Sequence, residues 1–149
     1  MSADFDTAVK IAIYEFAAQT ARLPSSGEVA PAVGRSPEEV EAAFGRLHAQ
    51  RLVVPEPGDS ARLRMAPPFS GVETPFPVKA RGRRYHANCV WDALGVAAAL
   101  HADAVIPASD GFSGEPIRLE VRDSRPLAAD CVIHFAVPAA RWWDDIIHT

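Results

Sequence analysis

The sequence predicts an α+β protein: a helical module, then a small, mostly antiparallel sheet packed on one central helix. Three observations predict it. Apolar residues recur at helical spacing through the first third of the chain. Alternating apolar runs bounded by Pro and Gly fill most of the remainder. One alanine-rich stretch, CVWDALGVAAAL, lies among those runs.

The first element begins at Phe5. Phe5, Val9, Ala12, Ile13, Phe16 and Ala17 lie on one helical stripe, which Pro24 and Ser25-Ser26 end. GEVAPAVG follows, with Gly34 as a C-terminal stop. In RSPEEVEAAFGRLHAQ, Ser36 is the N-cap and Pro37 takes the first helical position. Glu39 completes a capping box, and Val40, Ala43, Phe44 and Leu47 form the buried stripe. RLVVPEPGDSARLRM reads as two short strands around a Pro/Gly/Asp turn.

Three helices and a hairpin give residues 1–66 a winged-helix-like outline. They also divide the chain into that module and an α+β core over 67–149. In the core, APPFSGVETPFPVKARG is a linker or an irregular strand with turns. Arg83–His86 end a strand, and Cys89 to about Leu100 is a helix apolar nearly all round, hence buried. ADAVIPAS, EPIRLEVRD and CVIHFAVP are strands, with Ile117, Leu119 and Val121 on one face, and AARWWDDI is a turn or short helix.

Composition narrows the function. With 149 residues and 48% hydrophobic content the chain can bury a core. Its net charge of −4 argues against a general nucleic-acid or membrane-surface binder. Residues 1–66 carry seven bases and nine acids, net −2. The helix that would read DNA opens with Glu38, Glu39 and Glu41, which phosphates would repel. No apolar run approaches the roughly 18–20 residues that span a bilayer. The opening MSADFDTAVK lacks the basic start of a secretory signal, so the expected location is cytoplasmic, with both cysteines as free thiols.

One pair of residues suggests chemistry. Cys89 and Asp92 stand three apart at a helix start and so share a face. The unpaired N–H groups and dipole of a first turn favour a thiolate, with Asn88 as the N-cap and Asp92 as proton donor or acceptor. The alternative is a packed cysteine beside an acid that steadies its own helix. The five histidines show no metal-ligand spacing. His86 stands near enough to tune Cys89 or to serve as a cap. Trp142 and Trp143 cover a core edge or form a lid. Arg81, Arg83 and Arg84 form a solvated strand end or steer an anion.

From Arg84 to Val121 the sequence resembles the alkylmercury (organomercurial) lyases. Their segment Y-x-W-C-A-x-D-x-L resembles YHANCVWDAL, in which Cys89, Asp92 and Leu94 keep the spacing and Tyr85 stands one residue further ahead. Their T-G-x-P-v-x-L-x-V strand is matched by Gly114, Pro116, Leu119 and Val121, and CVIHFAVP matches a later proline-ended strand. The resemblance implies protonolysis of a carbon–mercury bond. Cys89 would be the thiolate that holds mercury, with Asp92 beside it as general acid. Mercury is substrate and product there. No prosthetic cofactor is implied, and external small thiols would remove the product ion.

The family uses a second cysteine, which an ungapped register brings to Thr149 or just beyond. Two readings follow: a member with one catalytic cysteine, or a native chain that continues past Thr149, which DDIIHT favours by resembling the start of a strand. Cys131 is the candidate second thiol if it faces the same pocket; otherwise it is a packed core thiol. The rival functions are a non-catalytic or repurposed member that binds soft metals or thiols, and a winged-helix regulator with an effector domain.

Overall fold

The capping signals set the helix starts. In the computed structural model, which describes residues 2–127 and 130–149, α1 (Ser2–Thr20), α2 (Ser26–Val33) and α3 (Pro37–Ala49) come first. Ser25 and Ser36 cap α2 and α3. Each accepts the N–H three residues on, while Glu28 or Glu39 reaches back to the cap's own N–H. Gly34 ends α2 in the left-handed conformation, at φ 64°.

A hairpin follows, formed by β1 (Val54–Glu56) and β2 (Asp59–Ala66). Phe69–Ser70 (β3) adds a third antiparallel strand, in the order β1-β2-β3. Gly71 leaves that strand against β2: a Cβ there would lie 2.1 Å from the Leu63 carbonyl oxygen. Of the two readings of APPFSGVETPFPVKARG, linker or irregular strand with turns, the structure shows the second. The segment carries another strand in β4 (Pro77–Ala80), which pairs with β5 (Arg83–His86).

After β5 comes α4 (Val90–Leu100), then β6 (Ala104–Ser109), β7 (Pro116–Arg122) and β8 (Arg125–Pro126). The second sheet is antiparallel throughout, in the order β5-β4-β6-β7-β8. α4 contacts β4 and β6. The fold class is α+β, with a small antiparallel sheet on a central helix.

α4 is buried along one stripe rather than all round. Ala93, Val96, Ala97 and Leu100 enter the core, while Trp91 is 54% exposed. A helix on a sheet needs only one covered face, and alanine tolerates the other. The Arg81 guanidinium donates to the Leu100 carbonyl and so terminates the helix, which gives that arginine a structural role.

There are two apolar clusters. One joins α1, α2 and α3 to the hairpin through Val9, Ile13, Val40, Phe44 and Leu47. The other lies between α4 and the second sheet, with Tyr85, Val78, Val96 and Ile106. α1 serves both: Ala17 belongs to the second cluster, and Tyr14 and Leu23 pack against each. The Tyr85 hydroxyl donates to the Ala18 carbonyl across this seam at 2.6 Å.

The end of the chain departs from expectation. Residues 131–138 form no strand. β8 occupies the edge of β7, and the segment pairs with no strand. It is tied to α4 instead, where the Phe135 ring lies 6.2 Å from Trp91 and 5.2 Å from Trp142. Ala139–Asp144 form a 3-10 helix. Residues 146–148 form a turn, where DDIIHT suggested the start of a strand.

Candidate active site

Cys89 is itself the N-cap of α4, in place of Asn88. Its backbone is extended, and Sγ accepts the Asp92 N–H at 3.4 Å. A thiol is a weaker acceptor than a hydroxyl, so this is a cap whose sulfur remains available. Asn88, one residue earlier, donates from Nδ2 to Oδ2 of Asp92 at 3.0 Å. Thiol, amide and carboxyl thus occupy a single turn.

Two influences compete at Cys89. Burial pushes the Cys89 thiol up, and the nearby Asp92 charge adds to that push. The N–H groups of Asp92 and Trp91 oppose it. Burial likewise raises the Asp92 carboxyl, against the pull of the Asn88 hydrogen bond. Tyr14, on α1, is raised by its own burial and then by the Asp92 charge. Burial thus favours the neutral form of both groups. A soft metal can still displace the thiol proton, because metal–thiolate bonding overrides a raised pKa.

Cys89 and Asp92 open into a cavity of about 480 Å³, lined also by Asn88, His134, Phe135, Trp142, Trp143, Ile146, Ile147 and His148. The Trp142 indole N–H is bound to the Val137 carbonyl at 2.7 Å, which leaves its apolar ring to the wall. Trp143 lies 6.2 Å from the His48 ring on α3. The tryptophans read from sequence as an edge cover or a lid line this cavity.

Cys131 is exposed and is not among the lining residues. The core-thiol reading depended on a strand that does not form. His86 is engaged elsewhere, with Nδ1 accepting the Thr74 N–H at 3.2 Å. Among the described residues, no group of three or more His, Cys, Asp or Glu side chains is placed to hold a metal ion, and no helix is long and apolar enough to cross a membrane.

Sequence reasoning missed His134, Phe135, Ile146, Ile147 and His148 as wall residues, and it missed the hydrogen bond from Asn88. The wall residues carry no spacing signal, because the irregular terminal segment brings them over α4. Asn88 was legible only as a capping residue, although its position four before Asp92 hinted at contact.

Comparison with known proteins bears on this constellation. A comparison with curated proteins finds no match. Among solved structures, the crystal structure of the mercury-bound form of MerB2 aligns with a TM-score of 0.63 and 20% identity. The alignment covers 84% of this chain and 65% of that one, so this chain spans about two thirds of that protein's length. At that identity the likeness shows the fold. The family model for alkylmercury lyase (MerB) matches residues 69–149, more than half of the chain, including Cys89, Asp92 and the aromatic wall. The chain belongs to the alkylmercury lyase family.

Proposed function

We propose that this protein cleaves the carbon–mercury bond of small organomercurials, with Cys89 as the mercury ligand and Asp92 as the proton carrier. One observation carries the reading: a thiol and a half-buried carboxyl share the N-terminal turn of α4 and open into an apolar, aromatic cavity. Soft mercury selects the sulfur, and the apolar walls suit the organic group.

The steps balance without a change of oxidation state. The Cys89 sulfur displaces the anionic ligand of the organomercurial (acetate, or an external thiolate): the S–Hg bond forms as that Hg–ligand bond breaks, the ligand leaves as the anion, and the thiol proton passes to the Asp92 carboxylate. The Asp92 carboxylic acid then protonates the carbon, the C–Hg bond breaks with its electron pair on carbon, and the hydrocarbon leaves. Mercury(II) remains on Cys89 until external thiols take it. A general acid of this kind contributes about 10²–10⁴ in rate.

A second reading is favoured by one specific observation. Cys89 is the only cysteine lining the cavity among the described residues. Without a second sulfur, whether from an external thiol or from outside the described residues, the reaction stops at capture and the protein binds soft metals. We further propose that residues 1–66 act as a support for the core of residues 67–149, through the face of α1 that packs on both clusters.

The test is protonolysis of phenylmercuric acetate with excess small thiol, following benzene and mercuric ion. Turnover that is lost in both Cys89→Ser and Asp92→Asn supports the lyase. Mercury retained on Cys89 with no benzene released defeats it in favour of binding.

A further inference from the structure

We propose that Asn88 is a positioning residue for the proton transfer: its amide holds Oδ2 of Asp92 and leaves Oδ1 as the oxygen that carries the proton to carbon. This rests on the reading of Asp92 as the acid. Asn88 acts through Asp92 rather than on the substrate.

Three contacts support it. Asn88 Nδ2 lies 3.0 Å from Oδ2 of Asp92, 3.4 Å from the Pro68 carbonyl and 3.3 Å from the Phe69 carbonyl. The two carbonyls decide which way round the amide sits. Turned over, it would set its own oxygen against three acceptors, so it presents N–H groups to Asp92. The orientation has a visible cost: Asn88 Oδ1 is buried without a hydrogen-bond partner. Buried amide oxygens are nearly always paired, and an unpaired one beside a reacting group is retained for what the rest of the amide does.

No other side chain among the described residues is hydrogen-bonded to do this. Among the described residues, Asn88 makes the one side-chain hydrogen bond to the Asp92 carboxyl, and no cation forms an ion pair with it. The other ionisable groups around it are the Cys89 thiol on α4, Tyr14 from α1, and His134 and His148 from the terminal segment. The Tyr14 hydroxyl is committed to the Pro67 carbonyl at 2.8 Å. Without Asn88 the carboxyl would rotate about its own χ2, a soft torsion, and would present either oxygen. A fixed acid oxygen is the orientational part of catalysis.

Single-turnover measurements with phenylmercuric acetate separate capture from protonation. Capture is read from the ultraviolet absorption of the mercury–thiolate bond, and protonation from benzene release. Asn88→Ala and Asn88→Asp are expected to capture one phenylmercury per chain as the wild type does, and to release benzene at least tenfold more slowly. Asn88→Ala/Asp92→Asn is expected to be no slower than Asp92→Asn, because the two residues act as one unit.

Release at the wild-type rate overturns the proposal, as does equal loss of capture and release, or a further loss on top of Asp92→Asn. If the Asn88 variants do not fold, the side-chain amide signals of Asn88 are compared by ¹⁵N NMR in wild type and Asp92→Ala. They should shift and lose exchange protection in the variant, and unchanged signals overturn the proposal. A wild type that captures mercury but releases no benzene defeats the lyase reading itself. Turnover unaffected in Asn88→Ala defeats this inference alone.

Discussion

Tyr85→Phe removes a single oxygen at the seam between the two clusters. Tyr85 is fully buried, and its hydroxyl donates to the Ala18 carbonyl at 2.6 Å. That carbonyl lies in the last turn of α1, where helix carbonyls lack intrahelical partners. Its neighbours are served locally: the Ala17 carbonyl accepts the Ala21 N–H, and the Phe16 carbonyl accepts the Thr20 hydroxyl. The variant therefore keeps the ring, 5.9 Å from that of Phe69, and orphans one half-buried acceptor. An orphaned acceptor costs about 1–3 kcal/mol. At about 2–4 °C per kcal/mol for a chain of this size, Tm should fall by roughly 2–12 °C. The assay is thermal unfolding by far-UV circular dichroism and by tryptophan fluorescence. All three tryptophans, Trp91, Trp142 and Trp143, lie after residue 66, whereas the first three helices precede it. If α1 couples the two parts, both signals should move together. An unchanged Tm, or a shift in one signal only, would refute the argument.

Four further outcomes are expected. Asp92→Asn should raise Tm at neutral pH while slowing protonation. Burial lifts the folded carboxyl above its unfolded value, so the wild-type penalty is absent at low pH, grows as pH rises past the unfolded value and is complete above the folded one. Paired melts across pH should show the gain vanish in acid. Arg22 and then Ser25 hold the Glu28 carboxyl down to about 2. Its stabilisation is present above the ordinary carboxylate range and lost as pH falls toward 2. Glu28→Gln should therefore lower Tm at pH 7 and not near pH 2, by less than about 1 kcal/mol because the pair is exposed. Arg46→Ala strips the partner from Asp6, which is 5% exposed, and should cost about 1–3 kcal/mol in urea unfolding. Iodoacetamide should modify exposed Cys131 before Cys89, whose thiol burial pushes up. Peptide mapping would show the order, and equal rates would contradict the burial.

Local chemistry by itself determined much of this protein. Capping boxes at Ser25 and Ser36 depend on residues three apart, so the helix starts were legible for the same reason that they form. The alternation in β7 and the C-x-x-D spacing of Cys89 and Asp92 are likewise short-range, and the resemblance to the alkylmercury lyases rests on those stretches. Tertiary structure decided the rest. The apolar alternation of residues 131–138 is what a strand would show, but the segment pairs with no strand and packs Phe135 against Trp91 of α4 instead. That choice exposes Cys131 and brings Phe135, Trp142 and His148 around Cys89. Burial then opposes the local rule at the helix terminus: the first turn favours a thiolate, while desolvation pushes the Cys89 thiol up. Desolvation and long-range packing are properties of the assembled fold, and no window of sequence contains them.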